Sequence, residues 1–378
     1  MRVLTIVNSL GMGGIEKTLL LCVPFLMKKG IELHVCVFEK DGILEEDFLK
    51  LGAKILKIKK TNSILLDFFQ INILIRKNNI DLIHSRFGFS SGGFVLASLF
   101  CKIPSIVSFH NTHHGKTPNI LTRIPISLSL KLHKLITFNF AKKIIGHSKA
   151  NLDYNFKYWN SNKKFQVIYN GIDFLNLEAY KSKSYPKYRN QFKNKDVLLH
   201  IGSFRDQKNH EFMFKVFSKL EPKKNNIFLL LVGDGEKKKT LLDLVDKLKI
   251  RKNVIFTGVQ KDIGKFFDVS KIFFFPSTHE GFGNVITEAQ YMGIPICGSN
   301  IPPLDESIFK EYHKYRFDPF DVKEATRSLT KILKDYKSEK LKNSRIGAAD
   351  FVKKNFSIEF MAIQLSDIYF ELKNDWIQ

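Results

Sequence analysis

Short apolar runs alternate with longer segments of helical period along almost the whole chain. Strands are predicted at 2–8, 32–38, 80–85, 105–110, 142–148 and 165–169, and in a second series at 196–202, 226–232, 253–257, 271–275 and 294–298. The runs are continuously apolar with little in–out alternation, the pattern of strands buried on both faces of a parallel sheet. Helix-length segments such as 15–29, 65–78, 208–220 and 236–250 lie between them. This strand–helix order predicts an α/β, doubly wound architecture. The pattern breaks between Asp173 and Lys195, a polar, lysine-rich stretch with Pro186 and no strand signal, so two α/β units are expected on either side of it. The last helices are expected from Val322 to Lys373. Ser357 is an N-cap candidate there, and Phe360, Ile363, Ile368 and Leu372 follow at helical spacing.

A chain of 378 residues, at ~150 residues per domain, is long enough for two or three domains. With 44% hydrophobic and 26% charged residues it can bury real cores, which excludes disordered, collagen-like and low-complexity classes. Sixty Lys and Arg against 37 Asp and Glu leave a formal charge of +23, which calls for an anionic partner: nucleic acid, an acidic membrane surface or a phosphorylated ligand. Cys22, Cys36, Cys101 and Cys297 form no C-x-x-C and read as reduced core residues of a cytosolic protein, against a disulfide framework or zinc site. Residues 1–8 read as a buried strand without the apolar core of a signal peptide, and no run of ~20 apolar residues exists. Membrane contact is therefore expected to be peripheral. From Leu82 to Leu152 there is no Asp or Glu, but there are nine Lys/Arg and six His. Within it, residues 119–140 mix Ile124, Ile126, Leu128, Leu130, Leu132 and Leu135 with cations. That pattern fits a helix on anionic lipid headgroups, and equally a solvated basic face.

Three loops carry candidate chemistry. Gly11-Met12-Gly13-Gly14-Ile15-Glu16 follows the first strand. A dinucleotide fingerprint needs glycine where Glu16 stands, which disfavours NAD. Gly13 and Gly14 can still admit a phosphate to a helix N-terminus, or form only a tight turn. Gly202-Ser203-Phe204-Arg205-Asp206-Gln207-Lys208-Asn209 ends a strand with two cations on the side where doubly wound sheets bind ligands. Arg205 and Lys208 could neutralise a departing diphosphate, or line a solvated loop. The most informative stretch is Pro276-Ser277-Thr278-His279-Glu280-Gly281-Phe282-Gly283-Asn284-Val285-Ile286-Thr287-Glu288. A strand ends, Glu280 stands in the loop, glycines expose N–H groups, and a helix from near Asn284 to near Met292 carries Glu288 one turn in. Two carboxylates suit hydroxyls and the N–H donors suit phosphate, which together describe a sugar nucleotide.

Glu280 to Glu288 resembles the E-x7-E element of retaining GT-B glycosyltransferases of the large fourth family. Gly13-Gly14-Ile15-Glu16 is similar to the family's G-G-x-E loop, Val167-Ile168-Tyr169-Asn170-Gly171-Ile172-Asp173 to its V-I-x-N-G-I-D, and Gly202 to Asn209 to its G-x-F-x-x-Q-K-N segment. Leu231-Val232-Gly233-Asp234-Gly235 and Phe256-Thr257-Gly258 also fit. The likeness spans nearly the whole chain. It implies two Rossmann-like doubly wound domains facing a central cleft. Residues 1–172 would be the acceptor-binding domain and 173–356 the nucleotide-sugar-binding domain, with a helix at about 357–378 crossing back onto the first. It implies Lys208, helped by Arg205, on the donor diphosphate, Glu288 on the ribose and Glu280 beside the transferred sugar. Gly258, Gly281, Phe282, Gly283, Asn284 and Val285 would line the donor site, with amides of the last loop on sugar hydroxyls and phosphate. Gly13 and Gly14 would act from the acceptor side, and His110, in Ser108-Phe109-His110-Asn111-Thr112, matches a family histidine near the sugar. Many relatives have Arg where this chain has Ser203, and His84, His113 and His114 lie near His110 in sequence.

The expected activity is transfer of a hexose or N-acetylhexosamine from a nucleotide sugar, UDP being the commonest donor in the family, to a glycan acceptor with retention. The setting implied is bacterial surface polysaccharide synthesis with a lipid-linked acceptor, in a cytoplasmic enzyme peripheral at the inner face of the cell membrane. No Asp-x-Asp occurs, so charge neutralisation falls to Lys208, Arg205 and the helix start at Asn284, with no metal and no cofactor. The competing readings are a sugar-nucleotide epimerase or phosphorylase on the same fold, a basic nucleic-acid-binding protein, and an inactive scaffold. No helix-turn-helix, zinc or aromatic RNA-binding signature supports the nucleic-acid reading.

Overall fold

The computed structural model describes residues 1–38, 42–59, 61, 63–111 and 123–377, with the side chains of 123–128 and 377 left aside. His113, His114, Lys116 and Asn119 lie outside the described residues, as do the side chains of Ile124, Ile126 and Leu128. The chain divides into two compact units, Met1–Gly171 with Ile358–Gln378, and Ile172–Ser357.

The first unit holds seven parallel strands: β1 (Arg2–Ile6), β2 (Glu32–Val37), β3 (Lys54–Lys57), β4 (Leu82–Ser85), β5 (Ser105–Phe109), β6 (Lys143–Gly146) and β7 (Phe165–Val167). Their order is β3-β2-β1-β4-β5-β6-β7, so the winding direction reverses between β1 and β4. Every residue of β4 and β5 is buried, which is what continuous apolar runs demand when helices cover both faces. β3 has no counterpart in the predicted strands. Its sequence Lys-Ile-Leu-Lys sits half-exposed at the sheet edge, where flanking lysines suit solvent and erase the apolar signal. On one face, Leu19, Cys22, Val23 and Leu26 of the Gly14–Lys28 helix pack with Met361, Leu365, Ile368 and Leu372 of the Ile358–Ile377 helix. The expected stripe on that last helix needs a correction. Phe360 is 55% exposed, and Met361, Ala362 and Leu365 are buried instead.

The second unit holds β8 (Asp196–Ile201), β9 (Ile227–Val232), β10 (Val254–Gly258), β11 (Ile272–Phe275) and β12 (Ile296–Gly298), all parallel, in the order β10-β9-β8-β11-β12. Here the winding reverses between β8 and β11. The stretch 173–195 is not featureless: it forms helices Phe174–Ser182 and Pro186–Gln191. Asp173 caps the first by accepting from the Asn176 N–H at 3.2 Å, and Pro186 starts the second, where its missing N–H costs no helical bond. Each unit is thus a doubly wound parallel sheet, and in such sheets ligands sit beyond the strand ends at the reversal point.

Candidate functional site

In the second unit, the loops after β8 and β11 leave the sheet on either side of the reversal point. They are laced together: the Thr278 N–H donates to Gln207 O (2.9 Å) and Gln207 Nε2 to His279 O (2.8 Å). The lacing sets Lys208 against Glu280. Lys208 Nζ donates to Glu280 Oε1 at 2.6 Å, and the side chains are only 15% and 9% exposed. The ammonium also lies 4.7 Å from the centroid of the Phe275 ring. An ammonium has three N–H donors, so Lys208 can hold Glu280 and still offer N–H groups to a phosphate oxygen.

Tight glycine contacts bring the neighbouring loops together. A Cβ on Gly233, after β9, would come within 2.1 Å of Gly202 O, so only glycine lets the two loops meet. The Gly233 N–H in turn donates to the carbonyl of Gly258 (3.0 Å), drawing in the end of β10. Beneath these loops His200 and His210 are buried, ring centroids 4.9 Å apart, with Phe204 edge-on to His210. Burial holds the His200 imidazole well below its ordinary pKa and lowers that of His210 to about 3, so both are neutral supports.

After Glu280 the chain turns through Gly281 and the buried Phe282, whose ring packs edge-on against Phe356 with centroids 5.0 Å apart. Gly283, at φ +90°, is the N-cap of the Asn284–Tyr291 helix and, having no side chain, makes no side-chain capping bond. Asn284 and Val285 open the helix and are half-buried, as is Glu288 one turn in. The N-terminal N–H groups of such a helix suit an anion. Arg205 is exposed; its carbonyl accepts from the Lys208 N–H at 3.1 Å, and among the described residues its side chain makes no ion pair with Glu280.

In the first unit, Gly13 and Gly14 start the Gly14–Lys28 helix after β1, and Gly13 caps it without a side-chain hydrogen bond. His110 directly follows β5 and stacks on His147, ring centroids 4.1 Å apart. Burial drives the His110 imidazole well below its ordinary range, with the His147 and Arg86 charges adding to the effect, so the ring is neutral. Sequence reasoning passed over Arg86 and His147, both buried, and the lacing by Gln207 and Thr278. The H-x-R spacing of His84 and Arg86 at the end of an apolar strand was the available signal.

Residues 12–174 match the family model described as Glycosyltransferase Family 4, and residues 182–348 the model described as Glycosyl transferases group 1. The chain belongs with the group 1 glycosyltransferases. It is 25% identical over 309 residues to the N-acetyl-alpha-D-glucosaminyl L-malate synthase of Bacillus anthracis, covering 79% of this chain and 77% of that one. It is 28% identical to the capsular polysaccharide biosynthesis glycosyltransferase CapH of Staphylococcus aureus, covering 81% and 83%. It is 27% identical to the N-acetylgalactosamine-N,N'-diacetylbacillosaminyl-diphospho-undecaprenol 4-alpha-N-acetylgalactosaminyltransferase of Campylobacter jejuni, covering 75% and 76%. The crystal structure of Anabaena Alr3699/HepE in complex with UDP-glucose superposes with a TM-score of 0.79 at 20% identity, covering 97% of this glycosyltransferase and 99% of that chain. That likeness shows the fold, GT-B. Among the described residues, no helix of this glycosyltransferase is long and apolar enough to cross a membrane.

Proposed function

We propose that this glycosyltransferase moves a hexose or N-acetylhexosamine from a UDP-linked sugar to a lipid-linked glycan, with retention and without a metal, in bacterial surface polysaccharide synthesis. The observation that carries the donor half is the Lys208–Glu280 pair at the reversal point of the second sheet, beside the start of the Asn284–Tyr291 helix. In this reading Lys208 and the first N–H groups of the Asn284–Tyr291 helix take the charge that grows on the departing diphosphate. Glu280, held by Lys208, accepts from hydroxyls of the transferred sugar, and Glu288 from the ribose. The departing phosphate takes the acceptor proton, so no protein nucleophile is needed. Arg205 is free to swing onto the diphosphate from its exposed position. Gly13, Gly14 and the neutral His110 serve the acceptor side, His110 as a hydrogen-bond partner to a sugar hydroxyl.

UDP-glucose in the solved structure of similar fold supports the donor class, and the diphospho-undecaprenol in the name of the Campylobacter jejuni relative supports a lipid-linked acceptor. Both family matches are to transferases, which leaves the epimerase, phosphorylase and nucleic-acid readings without support. The test is thermal stabilisation by UDP, GDP and ADP, since a ligand of the folded state raises the melting temperature by mass action. UDP should stabilise the wild type and not Lys208→Ala. Turnover with a UDP-sugar should be unchanged in excess chelator, and the product anomer should match the donor. A melting temperature indifferent to all three nucleotides refutes the assignment.

A further inference from the structure

The first sheet carries a buried polar row that the donor site does not use. His84 lies in β4 and Arg86 directly follows it, Ser108 lies in β5 and His110 directly follows it, and His147 directly follows β6. His84 is satisfied at both nitrogens, meeting the Tyr369 hydroxyl and the Ser108 hydroxyl, each at 2.6 Å. The next three groups are not. Arg86 Nη2, His110 Nε2 and His147 Nε2 are buried without a hydrogen-bond partner among the described residues.

Arg86 is 6% exposed, and its side chain makes one hydrogen bond, Nε to Thr5 Oγ1 at 3.4 Å. No carboxylate lies within ion-pairing distance of it among the described residues. The groups that act on it most are Tyr369, Cys22 and then Glu16. Burial pushes the Tyr369 phenol up and the Cys22 thiol up to about 12, so both keep their protons and supply no counter-charge. Glu16 acts on Arg86 only from beyond ion-pairing distance; a guanidinium buried with no paired anion is costly, and a fold that keeps one has a use for its charge.

His147 defines the second half of the requirement. Its Nδ1 meets the Ile168 carbonyl at 2.9 Å. A carbonyl only accepts, so Nδ1 carries the proton and Nε2 presents a bare lone pair. The stacked His110 and His147 therefore stand near a cation with open nitrogens: a guanidinium N–H seeking an acceptor, an imidazole nitrogen seeking a donor. An oxyanion with a neighbouring hydroxyl supplies both.

We propose that Arg86, His147 and His110 form a second anion subsite, within the first unit, that takes a phosphate-type oxyanion adjoining a hydroxyl. The subsite rests on the proposed function only for the source of that group, the diphosphate of the donor or a phosphate on the acceptor.

The test titrates inorganic phosphate into the full chain with 15N-labelled histidine, at ionic strength held constant with sodium chloride. The His110 and His147 Nε2 signals should move saturably, in the wild type and in Lys208→Ala alike. Arg86→Met should abolish the response, and Arg86→Lys, which keeps the charge but loses the planar fork, should weaken it at least tenfold. If Arg86→Met does not fold, Arg86→Lys and the wild-type titration decide. Signals that stay still to 100 mM phosphate on the order of a crowded anion pool, or that move equally in Arg86→Lys, overturn the subsite. Given a response, UDP competing with phosphate for these signals assigns the site to the donor, and phosphate still titrating the UDP-saturated chain assigns it to the acceptor. A phosphate response without any UDP stabilisation keeps the subsite and sinks the UDP donor reading. UDP stabilisation without a phosphate response does the reverse.

Discussion

Lys208 and Glu280, 72 positions apart in sequence, form an ion pair of 2.6 Å at the C-terminal ends of β8 and β11. In the function proposed above, the pair couples two roles that the sequence pattern treats separately, diphosphate binding and contact with the sugar. A lysine fixed by a carboxylate is already oriented when the donor arrives, so little reorganisation accompanies charge development on the leaving group.

Lys208→Ala therefore does two kinds of damage. In the proposed reading it removes the cation meant for the diphosphate, and in the structure it takes the ammonium away from a nearly buried carboxylate. Turnover with a UDP-sugar should fall by about 100-fold or more, and chemical denaturation should show a loss of about 1–3 kcal/mol. The double variant Lys208→Ala/Glu280→Gln should recover part of the stability and none of the turnover. Full additivity of the two stability losses would argue against the coupling.

The turn into the Asn284–Tyr291 helix depends on Gly283 at φ +90°. A Cβ there would be strained and would sit 3.1 Å from Ile286 Cδ1 and 3.2 Å from Leu304 Cδ2. Gly283→Ala should cost about 1–3 kcal/mol in urea denaturation. UDP stabilisation should weaken as well, because the helix N–H groups shift with the turn. Unchanged UDP affinity in a destabilised Gly283→Ala would separate the turn from the ligand.

Most of this architecture was legible because strands buried on both faces need unbroken apolar runs, and β9 and β11 supply them. β3 escaped because an edge strand faces solvent, so Lys54 and Lys57 interrupt the signal. The helices at 174–182 and 186–191 escaped because a polar, lysine-rich stretch carries little apolar period; Pro186 stands at a first helical position, where it starts a helix. In the site, the residues near Glu280 could be picked out by motif, but the contact between Lys208 and Glu280 is a product of strand order, which no local pattern contains. Arg86 was hidden differently. A cation in a basic chain reads as solvated surface, and only the fold reveals that this one is buried.

The buried His34, His84, His133, His147, His200 and His210 and the half-buried His110 have pKa values pushed below the ordinary 6.5, mainly by burial, with His147 and His210 at about 3. In the unfolded chain each regains its ordinary value and takes a proton below about 6.5. The unfolded state then binds more protons than the native one, so stability is fully present above that pH and is lost as pH falls toward 3. The slope is up to about 1.4 kcal/mol per pH unit per histidine. Between pH 6.5 and 4.5 this loss should dominate, because the lowered carboxylates such as Asp196 act only further down. Denaturation midpoints measured across that window should fall steadily, and His210→Phe, whose ring can occupy the same aromatic surroundings, should flatten the slope. A flat midpoint from pH 7 to 5 would contradict the neutral burial of these rings.

We propose a specific surface for peripheral membrane attachment. On the Arg123–Phe140 helix, His133, Ile136 and Thr137 face the core while Lys131, Leu132, Lys134, Leu135 and Phe138 face outward, Leu132 and Leu135 being 51% and 59% exposed. Leu65, Leu66, Phe69 and Ile73 are likewise exposed on the Ile64–Asn78 helix of the same unit. Cations interleaved with exposed apolar side chains match the layering of an anionic interface, with headgroups outside and acyl chains beneath. The glycosyltransferase should sediment with vesicles containing anionic lipid at low salt and release as salt screens the attraction. At about 1 kcal/mol per lysine, Lys131→Ala/Lys134→Ala should weaken partitioning roughly 30-fold. Leu132→Ser/Leu135→Ser should weaken it at high salt too, since the apolar contribution is not screened. Sedimentation that is equal for neutral and anionic vesicles, or unaltered in both variants, would place the exposed leucines and lysines outside any membrane contact.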